Sequence, residues 1–127
     1  MAVSCACTAP MLSALPRGEI LAPMDIGPRL LLDTPHTVIA SAHHRGQAGM
    51  RLAIGLFLGP PESAQAALAQ RGTRYLALCP DSNEVARFRA AAPGGFAARL
   101  ADGEAFAWLE PLPVAAGSNL RVWRIAR

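Results

Sequence analysis

Residues 19–46 gather most of the side chains that could carry chemistry. All three histidines, His36, His43 and His44, fall here, together with Asp25 and Arg45. A carboxylate beside an imidazole raises the histidine pKa and makes an acid–base pair. Asp25 and His44 are the two that would form one, provided the strands before them are parallel neighbours. Arg45 suits a phosphate, because a guanidinium forks bidentately onto its oxygens. Each residue also has a purely structural reading. Asp25 precedes Gly27-Pro28 and can cap a helical turn there. His44 can hold the shape of its loop. His36 follows Pro35 in a turn and is expected at the surface.

The rest of the chain supplies no partner for such a site. Asp25-Ile26-Gly27 offers a single glycine where a dinucleotide fingerprint needs three at fixed spacing. The sequence has no GxSxG elbow, Walker loop or HExxH. Ser63, Ser82 and Ser118 have no base nearby in sequence. The adjacent His43 and His44 do not chelate one metal together, and Cys5-Ala6-Cys7 has the wrong spacing for a zinc knuckle or a thioredoxin-type pair. The reading is of no metal and no cofactor. Cys5, Cys7 and Cys79 are either buried or stray thiols, or a disulfide from Cys7 or Cys5 to Cys79 that ties the N-terminal segment to a core strand.

The elements that would position these residues follow from local patterns. At 127 residues the chain has the length of one domain and buries roughly two-thirds of its unfolded surface. Residues 1–16 lack a sustained period and read as a tail or linker, with a loop or short helix near 11–14. Residues 17–127 read as a single α/β domain. Residues 19–22 and 37–40 are short apolar runs, as in strands covered on both faces. A brief helix is expected over 29–32. Residues 50–58 carry apolar side chains at helical spacing. Residues 62–70 form a second helix, opened by prolines and closed by Gly72. Residues 73–79 are a third strand. Asp81, with Glu84 three residues on, is expected to cap a helix reaching Ala91. A short helical segment over 96–101 follows. Residues 107–112 and 120–125 read as a terminal antiparallel pair, with Trp108 and Trp123 covering the sheet. The expected fold is therefore α/β, a mixed sheet of about five strands with flanking helices.

Composition excludes several classes. The 12 basic residues are all arginine, set against nine acids for a net charge of +3. They are spread along the chain without a basic run, so no nucleic-acid surface is visible. Hydrophobic residues make up 52% of the chain, but no apolar run approaches the roughly 18 residues of a membrane helix. The first 16 residues lack the basic start of a signal peptide, and prolines interrupt their apolar run.

The residues ILAPMDIGPRLLLDTPHTVIASAHHRG, then GPPESAQAAL, RYLALCP, WLEP and RVWRI, resemble the C-terminal soluble region of bacterial polytopic membrane proteins related to glycosyltransferases. That pattern has a leading Cys, an Asp-x-Gly-Pro turn, a Thr-Pro-His, a Tyr-His-Arg-Asn and a later strand ending in Cys. These fall on Cys7, residues 25–28, 34–36, 43–46 and Cys79. His43 stands where the pattern has tyrosine and Gly46 where it has asparagine. A more distant likeness is to the extracytoplasmic domain of oligosaccharyltransferase catalytic subunits. Of its Trp-Trp-Asp-Tyr-Gly motif, Met24-Asp25-Ile26-Gly27 keeps only the Asp and the Gly, so no catalytic role transfers.

The resemblance implies a periplasmic accessory domain tethered to the inner membrane through a parent protein, non-catalytic by itself. It implies an oxidising compartment, which favours a Cys7–Cys79 disulfide. Asp25, His36, His44 and Arg45 would then form a polar surface for glycan, lipid-linked sugar phosphate or the membrane portion. Two further readings stand beside it. One is a small free-standing enzyme using Asp25 and His44. The other is an interaction domain or homodimer built through the terminal strand pair.

Overall fold

The computed structural model describes residues 15–23, 36–39, 47–113 and 119–126. The expected helix over 29–32, the cap at Asp25 and the structure near 11–14 lie outside them. Nine elements are described: β1 (Glu19–Leu21), β2 (Thr37–Val38), α1 (Gln47–Leu58), α2 (Pro61–Arg71), β3 (Tyr75–Leu78), α3 (Asn83–Ala91), α4 (Phe96–Ala101), β4 (Leu109–Leu112) and β5 (Arg121–Ile125). The strands make one mixed five-stranded sheet in the order β2-β1-β3-β5-β4. β1 runs parallel to both β2 and β3. β5 is antiparallel to β3 and to β4, and with β4 it makes the expected terminal antiparallel pair.

All four described helices cover one face. Ala53, Leu56 and Phe57 of α1, Leu68 of α2, Phe88 of α3 and Phe96 of α4 meet Leu21, Leu76, Leu78 and Trp123 of the sheet. Phe57 stacks on Phe88 with ring centres 5.2 Å apart, and Phe96 stacks on Trp108 at 5.5 Å. Offset ring pairs of this kind add to plain area burial. The opposite face is also buried and centres on Ile20, Tyr75, Ala77, Cys79 and Val122. Among the described residues Leu15 and the neighbouring strand residues Val38 and Leu112 pack against it, and no described helix contributes.

The helix boundaries have local causes. α2 starts on Pro61, whose missing N–H costs nothing in a first turn. It ends on Gly72 at φ 76°, a left-handed position, where the N–H groups of Gly72 and Thr73 both reach the Leu68 carbonyl. α1 begins at Gln47, earlier than its apolar spacing suggests, because polar Gln47 carries no periodic signal. The cap of α3 is Ser82, not Asp81: its side-chain oxygen accepts the Val85 N–H at 3.1 Å. Ser82 lies directly before the first helical residue with extended backbone, the position from which a side chain can reach the first turn.

The sheet's two outer strands differ from the sequence reading in instructive ways. β2 is not covered on both faces. It is an edge strand of two residues, with Thr37 exposed and Val38 partly so. β4 contains Pro111, which the ladder tolerates for a geometric reason. The Ile125 N–H bonds to the carbonyl of Arg74, just before β3, and the Ala126 N–H bonds to that of Trp108, just before β4. The backbone groups of even-numbered β5 residues therefore face β4, and those of residues 110 and 112 of β4, with Trp108 before them, face back. Pro111 points its nitrogen outward, where no ladder bond is lost. Pro113 falls in the same outward phase, and the Leu109 N–H is already spent on the Phe106 carbonyl. The outer edge of β4 is thus depleted of donors, which blunts edge-to-edge pairing.

Candidate functional site

The parallel arrangement of β2, β1 and β3 sends the chain out of all three strands at the same edge of the sheet. The exits are Ala22-Pro23 after β1, Ile39 after β2 and Cys79 after β3. This carboxyl edge is where open α/β sheets gather ligands. In the sequence Asp25 follows the first exit, and His43, His44 and Arg45 follow the second. All four lie outside the described residues, as does any pairing of Asp25 with His44.

His36 is placed elsewhere. It precedes β2 and so stands at the opposite, amino edge. It is also not exposed as its turn sequence suggests: only 3% of its surface reaches solvent. Its Nδ1 accepts the Gly18 N–H at 3.2 Å, and its ring meets Tyr75 edge-on at 5.1 Å. A Pro-His sequence reads as surface, but here His36 directly precedes an edge strand whose neighbour, β1, lies close enough to take the imidazole. The structure therefore separates His36 by the length of the sheet from the exits that lead to the other three candidates.

The amino edge also holds a polar cluster that local reading did not find. Glu19 of β1 accepts bonds from Arg71 Nε at 3.1 Å and Nη2 at 2.6 Å, and from Thr73 Oγ1 at 2.8 Å. Burial pushes the Glu19 carboxyl up, but the Arg71 and Thr73 bonds outweigh it and hold the group below its usual range. Tyr75 donates its hydroxyl to the Pro16 carbonyl at 2.7 Å. These bonds clamp β1, β2, α2 and the start of β3 together. Every group in the cluster is engaged with its neighbours, and the arrangement is that of a fold clamp.

Cys79 directly follows β3, packs with the face away from the helices and is 2% exposed. It is not without a partner. Cys5 and Cys7, the other cysteines of the sequence, lie outside the described residues. No cluster of three metal-ligating side chains occurs among the described residues. None of their helices is long and apolar enough to cross a membrane.

Fold and edge together define a mixed α/β domain whose described helices all cover one face and whose parallel strands exit at a single edge. Comparison of the chain with models of protein families and with curated proteins gives no match.

Proposed function

We propose that this chain is an extracytoplasmic accessory domain of a membrane glycosyltransferase-like protein, positioning a glycan, a lipid-linked sugar phosphate or the membrane portion without performing the transfer itself. One observation carries the reading. β1 and β2 are parallel neighbours, so the segments bearing Asp25 and His44-Arg45 both depart from the carboxyl edge. That edge is where a carboxylate, an imidazole and a guanidinium can meet one ligand. His36 belongs to the clamp at the other edge and is left out of this surface. A disulfide between Cys79 and Cys7, or Cys5, would fasten the N-terminal segment to β3 in an oxidising compartment.

The test is binding of a polyprenyl-phosphate sugar to the wild-type chain and to Arg45→Ala. Saturable binding that weakens about tenfold in the variant supports the positioning role, since a bidentate charged contact carries roughly that much. Equal and negligible binding in both removes it. The parallel exits also suit an Asp25/His44 acid–base pair. Turnover on hydrolase and transferase substrates, lost in His44→Ala, would replace the accessory reading with the enzymatic one. The donor-depleted edge of β4 weighs against a homodimer made by extending the sheet there.

A further inference from the structure

A groove of about 270 Å³ runs beside β4. Its apolar lining comes from Leu100 of α4 and Trp123 of β5 on the helix face, and from Leu120 and Val122, which belong to the other face. All four are buried. Pro111 and Leu112 form its wall. Small-ligand pockets usually run from about 300 to 1,000 Å³, so this one suits a short chain rather than a large ring system.

Two charged residues stand on the groove, Glu104 and Arg121. They are not equivalent. Glu104 is held by Arg99, which donates from both Nε and Nη2. Those bonds keep its carboxyl below the usual range. Arg121 is exposed and takes part in no ion pair among the described residues. It opposes Leu78, the last residue of β3, so it sits at the carboxyl edge of the sheet. The groove therefore has an apolar lining, one paired acid and, at its carboxyl-edge end, one cation with no ion pair among the described residues. That combination fits an apolar body with an anionic head. An extended peptide is a poorer fit, because β4 presents prolines at the outward positions where such a strand would need N–H donors.

We propose that this groove binds a small amphiphilic anion, its short apolar chain on Leu100 and Trp123 and its phosphate or carboxylate head on Arg121, which shares the helix face with Trp123. The proposal does not depend on the extracytoplasmic reading, and it concerns a different part of the carboxyl edge.

Octyl phosphate, octanoate, octanol and inorganic phosphate are the probes, with intrinsic tryptophan fluorescence as one readout and calorimetry as the other. Octyl phosphate and octanoate should bind saturably. Octanol should bind at least about threefold more weakly, the scale of one exposed ion pair. Inorganic phosphate should not bind measurably. The advantage of the anions should shrink as salt rises. Arg121→Gln, a change at an exposed position at the start of β5, should erase the difference between octyl phosphate and octanol. Trp123→Phe should remove most of the fluorescence change while leaving the calorimetric binding. Vesicles containing phosphatidic acid separate the sources. Vesicle binding displaced by octyl phosphate assigns the head to a lipid, and soluble binding without vesicle binding assigns a free amphiphile. Equal affinity for octanol and octyl phosphate, or a preference that survives in Arg121→Gln, overturns the proposal.

Discussion

Glu19 and Arg71 stand 52 residues apart in sequence and meet in a forked ion pair, with Nη2 2.6 Å from Oε2. The Glu19 side chain is 24% exposed and that of Arg71 42%. A pair in that setting is screened, yet the Thr73 hydroxyl adds a third bond to the same carboxylate. Glu19→Gln should cost about 1–2 kcal/mol, at the lower end for charged hydrogen bonds because water reaches the pair. The same carboxyl predicts a pH dependence. Its folded pKa lies below its unfolded value, so its contribution is present above the ordinary carboxylate range. It is lost as pH falls through the folded value. Denaturant titrations between neutral pH and pH 3 should show wild type losing more stability than Glu19→Gln over that range. Parallel curves would rule out the clamp.

His36 accepts the Gly18 N–H inside a nearly closed environment. His36→Leu fills the space but leaves that donor unanswered, at about 1–3 kcal/mol. His36→Asn offers an oxygen near the position of Nδ1 and should recover part of the loss. Chemical denaturation of the three proteins gives the comparison. If His36→Leu proves as stable as wild type, the bond contributes nothing to the fold.

Gly95 lets the start of α4 approach the end of α1. A Cβ built there would lie 2.6 Å from the Leu58 carbonyl oxygen, and the adjacent Phe96 N–H bonds to Gly59 at 2.9 Å. Backbone cannot yield as a long side chain can, so Gly95→Ala should destabilise by about 1–3 kcal/mol, the usual range for overpacking. Gly94 next to it faces open space. Gly94→Ala should leave stability unchanged or raise it slightly by restricting the unfolded chain. Thermal melts of the two variants should move in clearly different amounts.

The proposed disulfide at Cys79 makes a prediction independent of any ligand. With three cysteines in the sequence, denatured and unreduced protein purified from an oxidising compartment should show one titratable thiol. Closing a loop of about 70 residues should add roughly 4 kcal/mol relative to the reduced form. Three thiols under the same conditions would show that no disulfide forms.

The sequence alone determined the elements and little of their arrangement. Helical spacing in α1, prolines and Gly72 around α2, and the apolar runs of β1 and β3 are local signals, because they reflect what neighbouring residues do to each other's backbone. The terminal antiparallel pair was legible in the same way, as two short apolar runs joined by a loop. The cap of α3 was legible in type but misplaced by one residue, since Asp81 and Ser82 both suit the role and only the start of the helical backbone chooses between them.

Strand order was decided by tertiary packing. β2 and β3 flank β1 on opposite sides, which makes β2 an edge strand and puts three strand exits at one edge. No local pattern encodes that order. The same packing turned His36 inward, joined Glu19 to Arg71 and Thr73, and laid Arg121 beside an apolar groove. The sequence by itself could name histidines, acids and arginines as candidates. Which of them become structure and which face a ligand depends on contacts between residues distant in the chain, and those exist only once the sheet has assembled.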